Sequence, residues 1–149
     1  MKIYLAGPIH HVAPEQATGW RRKVTEQLEP LGYEILDPTA GKDLYQPGVN
    51  TTVFTPEYIT TTDIAMVDAA DIIIVDISQF VPMIGTSMEV YHASTTGKKV
   101  YTWGETNKGS YWMRQYATEM YNTLEALLCK LEMAASANKI IREAGVWKE

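Results

Sequence analysis

Two short stretches combine glycine with side chains able to bind or react. One is Gly7-Pro8-Ile9-His10-His11, directly after a short apolar run. The other is Gly85-Thr86-Ser87-Met88-Glu89, shortly after the run DIIIVDI at residues 71–77. A glutamate in the first turn of a helix is favoured as an anion by the helix dipole. An ionised carboxylate is what a nucleophile at a sugar carbon must be. The same stretch also reads as a capping box, with Thr86 as N-cap and Glu89 three residues on, so both roles stand open. His10 is placed to contact a phosphate or a sugar. Adjacent histidines such as His10 and His11 rarely ligate one metal together, and no cysteine or further histidine is near them, so no metal site is expected.

The elements that must position these groups follow from the apolar pattern. Residues 3–6 read as a buried strand stopped by Gly7-Pro8. A helix begins at Pro14, with Ala17, Trp20, Val24, Leu28 and Leu31 at spacings of three and four. Its other face, with Arg21, Arg22, Lys23 and Glu26, reads as solvated, and Gly32 closes it. Residues 33–36 make a second strand. A loop at 39–56 precedes a helix starting at Thr55-Pro56-Glu57 and running to about residue 70. Residues 71–77 form the strongest strand, β-branched throughout, as expected when both faces are covered. A helix over 86–96, a strand over 99–103, a long helix over 111–135 and a short one over 138–145 complete the chain. Strands alternating with helices predict a parallel sheet covered by helices. Ligands of such sheets bind beyond the carboxyl ends of the strands, where both glycine-bearing stretches lie.

Composition bounds the partners. The chain has 149 residues, 13 Lys plus Arg against 18 Asp plus Glu, and a net charge of −5. That length fits one domain. Net acidity argues against a nucleic acid polymer as partner, since phosphate contacts need clustered cations. No apolar run reaches the roughly 20 residues of a membrane span, and the N-terminus lacks the apolar core of a signal peptide. A soluble, cytoplasmic protein is expected. The single cysteine, Cys129, is expected to pack inside a helix among Leu127, Leu128 and Leu131. Tyr45, Phe54, Tyr58, Phe80 and Trp103 are candidates to stack on a ligand ring or to fill the core.

The ordered set IYLAGP (3–8), D-x-x-x-V-x-x-A-D (Asp63 to Asp71), IIIVD (72–76) and GTSMEVYHASTTGKKV (85–100) resembles the nucleoside 2-deoxyribosyltransferase family. Its superfamily includes nucleoside 5′-monophosphate N-glycosidases. The resemblance spans about residues 1–103. It implies an α/β fold, a flavodoxin-like doubly wound parallel sheet in a single domain over residues 1–149. It also implies that Glu89 is similar to the family nucleophile, which attacks C1′ and displaces the base, and that Asp63 is the candidate acid at the base-binding end. Tyr4 matches a tyrosine that orients the nucleophile.

Where the family often has an aspartate six residues before the nucleophile, this chain has Met83. Gly7, Pro8, His10, Met83, Gly85 and Thr86 are the expected substrate-binding residues. The apolar stripe Met113, Met120, Tyr121, Leu124, Leu127, Leu128 and Leu131 suggests subunit association. By resemblance, Asn122 would complete a neighbouring subunit's site in a homo-oligomer. No cofactor is expected. Three functions stand open: a deoxyribosyltransferase of nucleotide salvage, a nucleoside monophosphate hydrolase, and a nucleotide-binding module without chemistry.

Overall fold

The computed structural model describes residues 1–40 and 55–145. Among the described residues, strands and α-helices alternate: β1 (Lys2–Ala6), α1 (Pro14–Leu28), β2 (Glu34–Leu36), α2 (Pro56–Ala69), β3 (Ile72–Asp76), α3 (Ile84–Thr95), β4 (Lys99–Trp103), α4 (Tyr111–Tyr116), β5 (Glu119–Tyr121) and α5 (Leu124–Glu143). All strand pairs are parallel, in the order β2-β1-β3-β4-β5. This is the flavodoxin-like order, in which the chain reverses its winding between β1 and β3.

Alternation along each strand sends neighbouring side chains to opposite faces. Ile3, Leu5, Ile72 and Ile74 meet Trp20, Val24 and Leu28 of α1 and Leu124, Leu127, Leu128 and Leu131 of α5. Tyr4, Ala6, Ile73 and Val75 meet Val67 of α2, Val90 and Ala93 of α3 and Met113 of α4. Every residue of β3 is buried, which accounts for its unbroken β-branched sequence. Pro14 opens α1, whose last turn runs into a 3₁₀ turn (Glu29–Leu31) closed by Gly32 at φ 94°. Thr55 caps α2 by accepting the Tyr58 N–H at 3.1 Å, and Thr123 caps α5 by accepting the Ala126 N–H at 3.2 Å.

Four expectations change. The long helix over 111–135 is three elements, α4, β5 and the start of α5, and the short helix over 138–145 is the end of α5. The stripe assigned to subunit contact is therefore not one surface. Leu124, Leu127, Leu128 and Leu131 are buried against the sheet of their own chain, and Met113 is buried on the opposite face. Cys129 points outward and is exposed. Lastly, α3 starts two residues early: Met83 is the N-cap, Ser87 N–H bonds Met83 O at 2.8 Å, and Thr86 is a buried residue of the first turn. The Thr86–Glu89 capping box is not formed.

Asp71 is structural, as its position at a helix-to-strand junction suggests. Its Oδ2 accepts the Lys2 N–H at 2.8 Å and ties the start of β1 to β3. No helix among the described residues is long and apolar enough to cross a membrane.

Candidate functional site

Beyond the carboxyl ends of β1 and β3 lies a pocket of about 290 Å³. Its walls come from the β1–α1 loop (Gly7, Pro8, His10, His11), from α2 (Ile59, Asp63) and from the start of α3 (Met83, Ile84, Gly85, Thr86, Glu89). It occupies the switch point where ligands of this topology bind.

Each wall has a local cause. Gly7 sits where chain elements close in: a Cβ there would stand 3.0 Å from Asp76 Cβ, 3.2 Å from Trp20 Cζ2 and 3.4 Å from Arg21 Nη2. A side chain there would have to press Asp76, Trp20 and Arg21 back by a few tenths of an ångström, so glycine suits the close approach of β1 to β3 and α1. His11 holds φ 66°, an uncommon conformation for a residue with a side chain and one that concentrates at functional loops. Asp76, 1% exposed at the end of β3, accepts the Ser78 N–H at 2.8 Å and the Ser78 hydroxyl at 2.6 Å. Burial pushes its carboxyl above the ordinary range, while the Ser78 bonds and Arg21 pull it back. Asn107 donates to the carbonyls of Ile77 at 3.1 Å and Gln79 at 2.9 Å and lies 3.5 Å from Met83 Sδ. The loop leading into α3 is thus held by the loop after β4.

The candidate reactive centre is a trio. Tyr4, on the face of β1 turned to α2 and α3, is 1% exposed, and its hydroxyl donates a hydrogen bond to the Glu89 carboxylate. Burial, the Glu89 bond and charge, and nearby Asp63 together push the phenol far above its ordinary value, so it stays a donor. Asp63 and Glu89 are half-buried, each with one carboxylate oxygen shielded from solvent. Two carboxylates and a phenol converging at a pocket suit attack at one atom and proton delivery at another.

Of the ten residues anticipated for the site, Gly7, Pro8, His10, Asp63, Met83, Gly85, Thr86 and Glu89 line the pocket, and Tyr4 joins through Glu89. Asn122 does not: it follows β5 and accepts a hydrogen bond from Lys108. Glu89 falls in the second turn of α3, with no acidic residue in the first. The helix dipole, which fades within the first turn, is therefore not what favours its anion.

Arg21 was assigned to a solvated face but is fully buried. Its neighbours are the Leu5 and Gly7 carbonyls and Asp37. Phe80 is exposed, Tyr58 is half-exposed, and Trp103 packs on the core beside Trp20. Tyr45 and Phe54 lie outside the described residues.

The model of the nucleoside 2-deoxyribosyltransferase family matches residues 3–124, which extends through β5 to the start of α5. Among solved structures, the chain is similar to a 2-deoxyribosyltransferase of Bacillus psychrosaccharolyticus, with a TM-score of 0.66 and 20% identity over 86% of this chain and 90% of that one. A CMP N-glycosidase of Clostridium botulinum gives 0.62 and 20% over 90% and 99%. A 2-deoxyribosyltransferase of Leishmania mexicana gives 0.53 and 27% over 68% and 63%. No curated protein matches the sequence.

Proposed function

The chain belongs to the nucleoside 2-deoxyribosyltransferase family, and on that premise we propose that it cleaves the N-glycosidic bond of a (deoxy)nucleoside by double displacement. Glu89 attacks C1′, the C1′–N bond breaks, and Asp63 gives its proton to the leaving base. A second base then attacks C1′ from the vacated side, returns a proton to Asp63 and releases Glu89. Two inversions give net retention. Tyr4 aims the Glu89 carboxylate and keeps one of its oxygens engaged. Gly7, Pro8, His10, Met83, Gly85 and Thr86 surround the sugar and its 5′ end.

The observation that carries this reading is the Tyr4–Glu89 hydrogen bond beside Asp63 in the switch-point pocket. Incubation with a deoxynucleoside, with and without a second free base, tests it. Base exchange dependent on the second base is expected, and Glu89→Ala should abolish it. A parent protein that binds nucleosides without ever breaking the bond would overturn the reading in favour of a binding module.

A second reading is hydrolysis of a nucleoside 5′-monophosphate, with water as the second nucleophile. Its support is the start of α3 in the pocket wall, where Gly85 and Thr86 stand at a helix N-terminus, a setting that suits phosphate, with His10 opposite. Release of sugar phosphate from a monophosphate, without need of a second base, would favour it.

A homo-oligomer belongs to the same proposal. Ile84, Met88 and Tyr91 on α3 and Tyr111 and Trp112 on α4 are exposed, and Tyr91 and Trp112 both contact Tyr116. This apolar strip begins at the pocket wall, because Ile84 belongs to both. A cytoplasmic role in nucleotide salvage accords with such an activity.

A further inference from the structure

We infer that the His11 side chain is a substrate contact: its imidazole N–H donates a hydrogen bond to an oxygen carried on the 5′ carbon of the sugar, as a hydroxyl or as part of a phosphate. The inference rests on the pocket holding a nucleoside or nucleotide as proposed above.

The backbone supplies the first observation. Among the described residues, positive φ falls at Gly32, Gly97, Gly104, Gly145 and His11. Glycine adopts this region freely, whereas a Cβ crowds the neighbouring carbonyl. Of these positions, the one on the wall of the switch-point pocket is the one that keeps a side chain. Histidine enters the region more readily than most residues, as asparagine and aspartate do. The turn therefore permits His11, but it does not call for an imidazole. A conformation of this kind persists where the surroundings or a ligand give it a use.

The ring itself is the second observation. His11 is exposed, and among the described residues its side chain makes no hydrogen bond, ion pair or ring contact. No partner among those residues accounts for keeping it. Its place on the pocket wall does.

The walls then divide the substrate. In the proposed reaction Asp63 of α2 meets the leaving base and Glu89 of α3 meets C1′. The remaining wall is the β1–α1 loop, Gly7 to His11, which leaves it the far side of the sugar. Gly7, Pro8 and Ile9 bring no polar side chain to that wall, and Pro8 lacks an N–H as well. Its side-chain donors are the two imidazoles. An oxygen on the 5′ carbon accepts from such a donor whether or not it bears a phosphate. His11 thus adds a second donor beside His10, on a backbone that would otherwise favour glycine.

The test keeps the backbone and removes the ring. Glu89→Gln protein, which should bind without turnover, is titrated calorimetrically with the four common 2′-deoxynucleosides, their 5′-monophosphates and their 2′,5′-dideoxy analogues. Adding His11→Gly, which holds the same φ without strain, should weaken binding of the deoxynucleosides or the monophosphates by about fivefold. The analogues without a 5′ oxygen should bind equally well with and without His11. A loss confined to the monophosphates assigns the contact to a phosphate oxygen, and one confined to the nucleosides assigns it to the hydroxyl.

Unchanged affinity for every probe overturns the inference, since His11 would then serve only the turn. An equal loss on the analogues overturns it too, because the loop and not the oxygen would be read. So does a Glu89→Gln protein that binds none of the probes. Base release by the parent is measured separately. A parent that binds but releases no base refutes the glycosyl chemistry and leaves the binding comparison intact, so the two failures are told apart.

Discussion

Asp63 shares the pocket with Glu89, yet the proposed roles differ by one proton: the base departs only if Asp63 can give it one, whereas Glu89 must have none. Asp63→Asn should therefore lower turnover of an ordinary nucleoside by about 10²–10⁴-fold, the usual worth of general acid catalysis. The loss should shrink toward nothing on a deoxyriboside whose leaving group departs without protonation. Comparing kcat/KM on the two substrates checks this, and an equal loss on both would place Asp63 in binding instead. Tyr4 and Glu89 are bound to each other before any substrate arrives, so the proposed nucleophile is aimed in advance. Gly7 shows the same economy in the backbone, since Asp76, Trp20 and Arg21 approach so closely that a methyl group would have to push them back.

The loops after β3 and β4 touch backbone to backbone. Gly104, at φ 114°, lies so close to Ser78 that a Cβ would come within 2.6 Å of both its N and Cα. Both the dihedral and the contact reject a side chain, and backbone cannot step aside. Gly104→Ala should destabilise the fold by about 2–4 kcal/mol, read as a lowered midpoint of urea unfolding.

How far such elements were legible depended on what marked them. β1, α1, α2, β3 and β4 were readable from apolar runs and from Gly, Pro and Thr at their ends. The segment from Tyr111 was not. Met113, Met120, Leu124 and Leu128 continue at helical spacing across what are three elements, and the break at Ala117-Thr118 carries neither glycine nor proline. β5 has only three residues and no β-branched one, so tertiary pairing with β4 makes it a strand. Ser110 and Thr123, the caps of α4 and α5, were the signal that could have divided the segment. The candidate site was legible for the opposite reason: its residues cluster in two short stretches, and parallel topology brings those to one rim. Arg21 was not legible, because nothing on a helix wheel reveals that the carbonyls of Leu5 in β1 and of Gly7 just after it await a guanidinium.

For the whole molecule, three buried or partly buried phenols make stability depend on pH in alkali. Tyr4, Tyr33 and Tyr121 all ionise less readily in the fold than in water, with burial the first cause in each. The sign is fixed: a phenol held neutral in the fold contributes stability that is whole below the unfolded value near 10. That stability is lost as pH climbs above it, because the unfolded chain then releases protons the folded chain keeps. Thermal midpoints should be flat with respect to these groups from neutral pH to about 9 and fall beyond 10. Tyr4→Phe should flatten part of that fall; a slope identical to the parent's would mean Tyr4 is not protected as its surroundings require.

Trp20 and Trp103 meet edge to face with ring centroids 5.6 Å apart, and the Trp20 ring edges the space beside Gly7. Two indoles at that separation couple optically, so the protein carries a native chromophore pair directly behind its pocket. Trp112 is exposed on α4, so a collisional quencher should reach it ahead of the pair. With Trp147 replaced by phenylalanine to remove its emission, ligand arrival at the β1 turn and association through α4 would register as two separate optical signals.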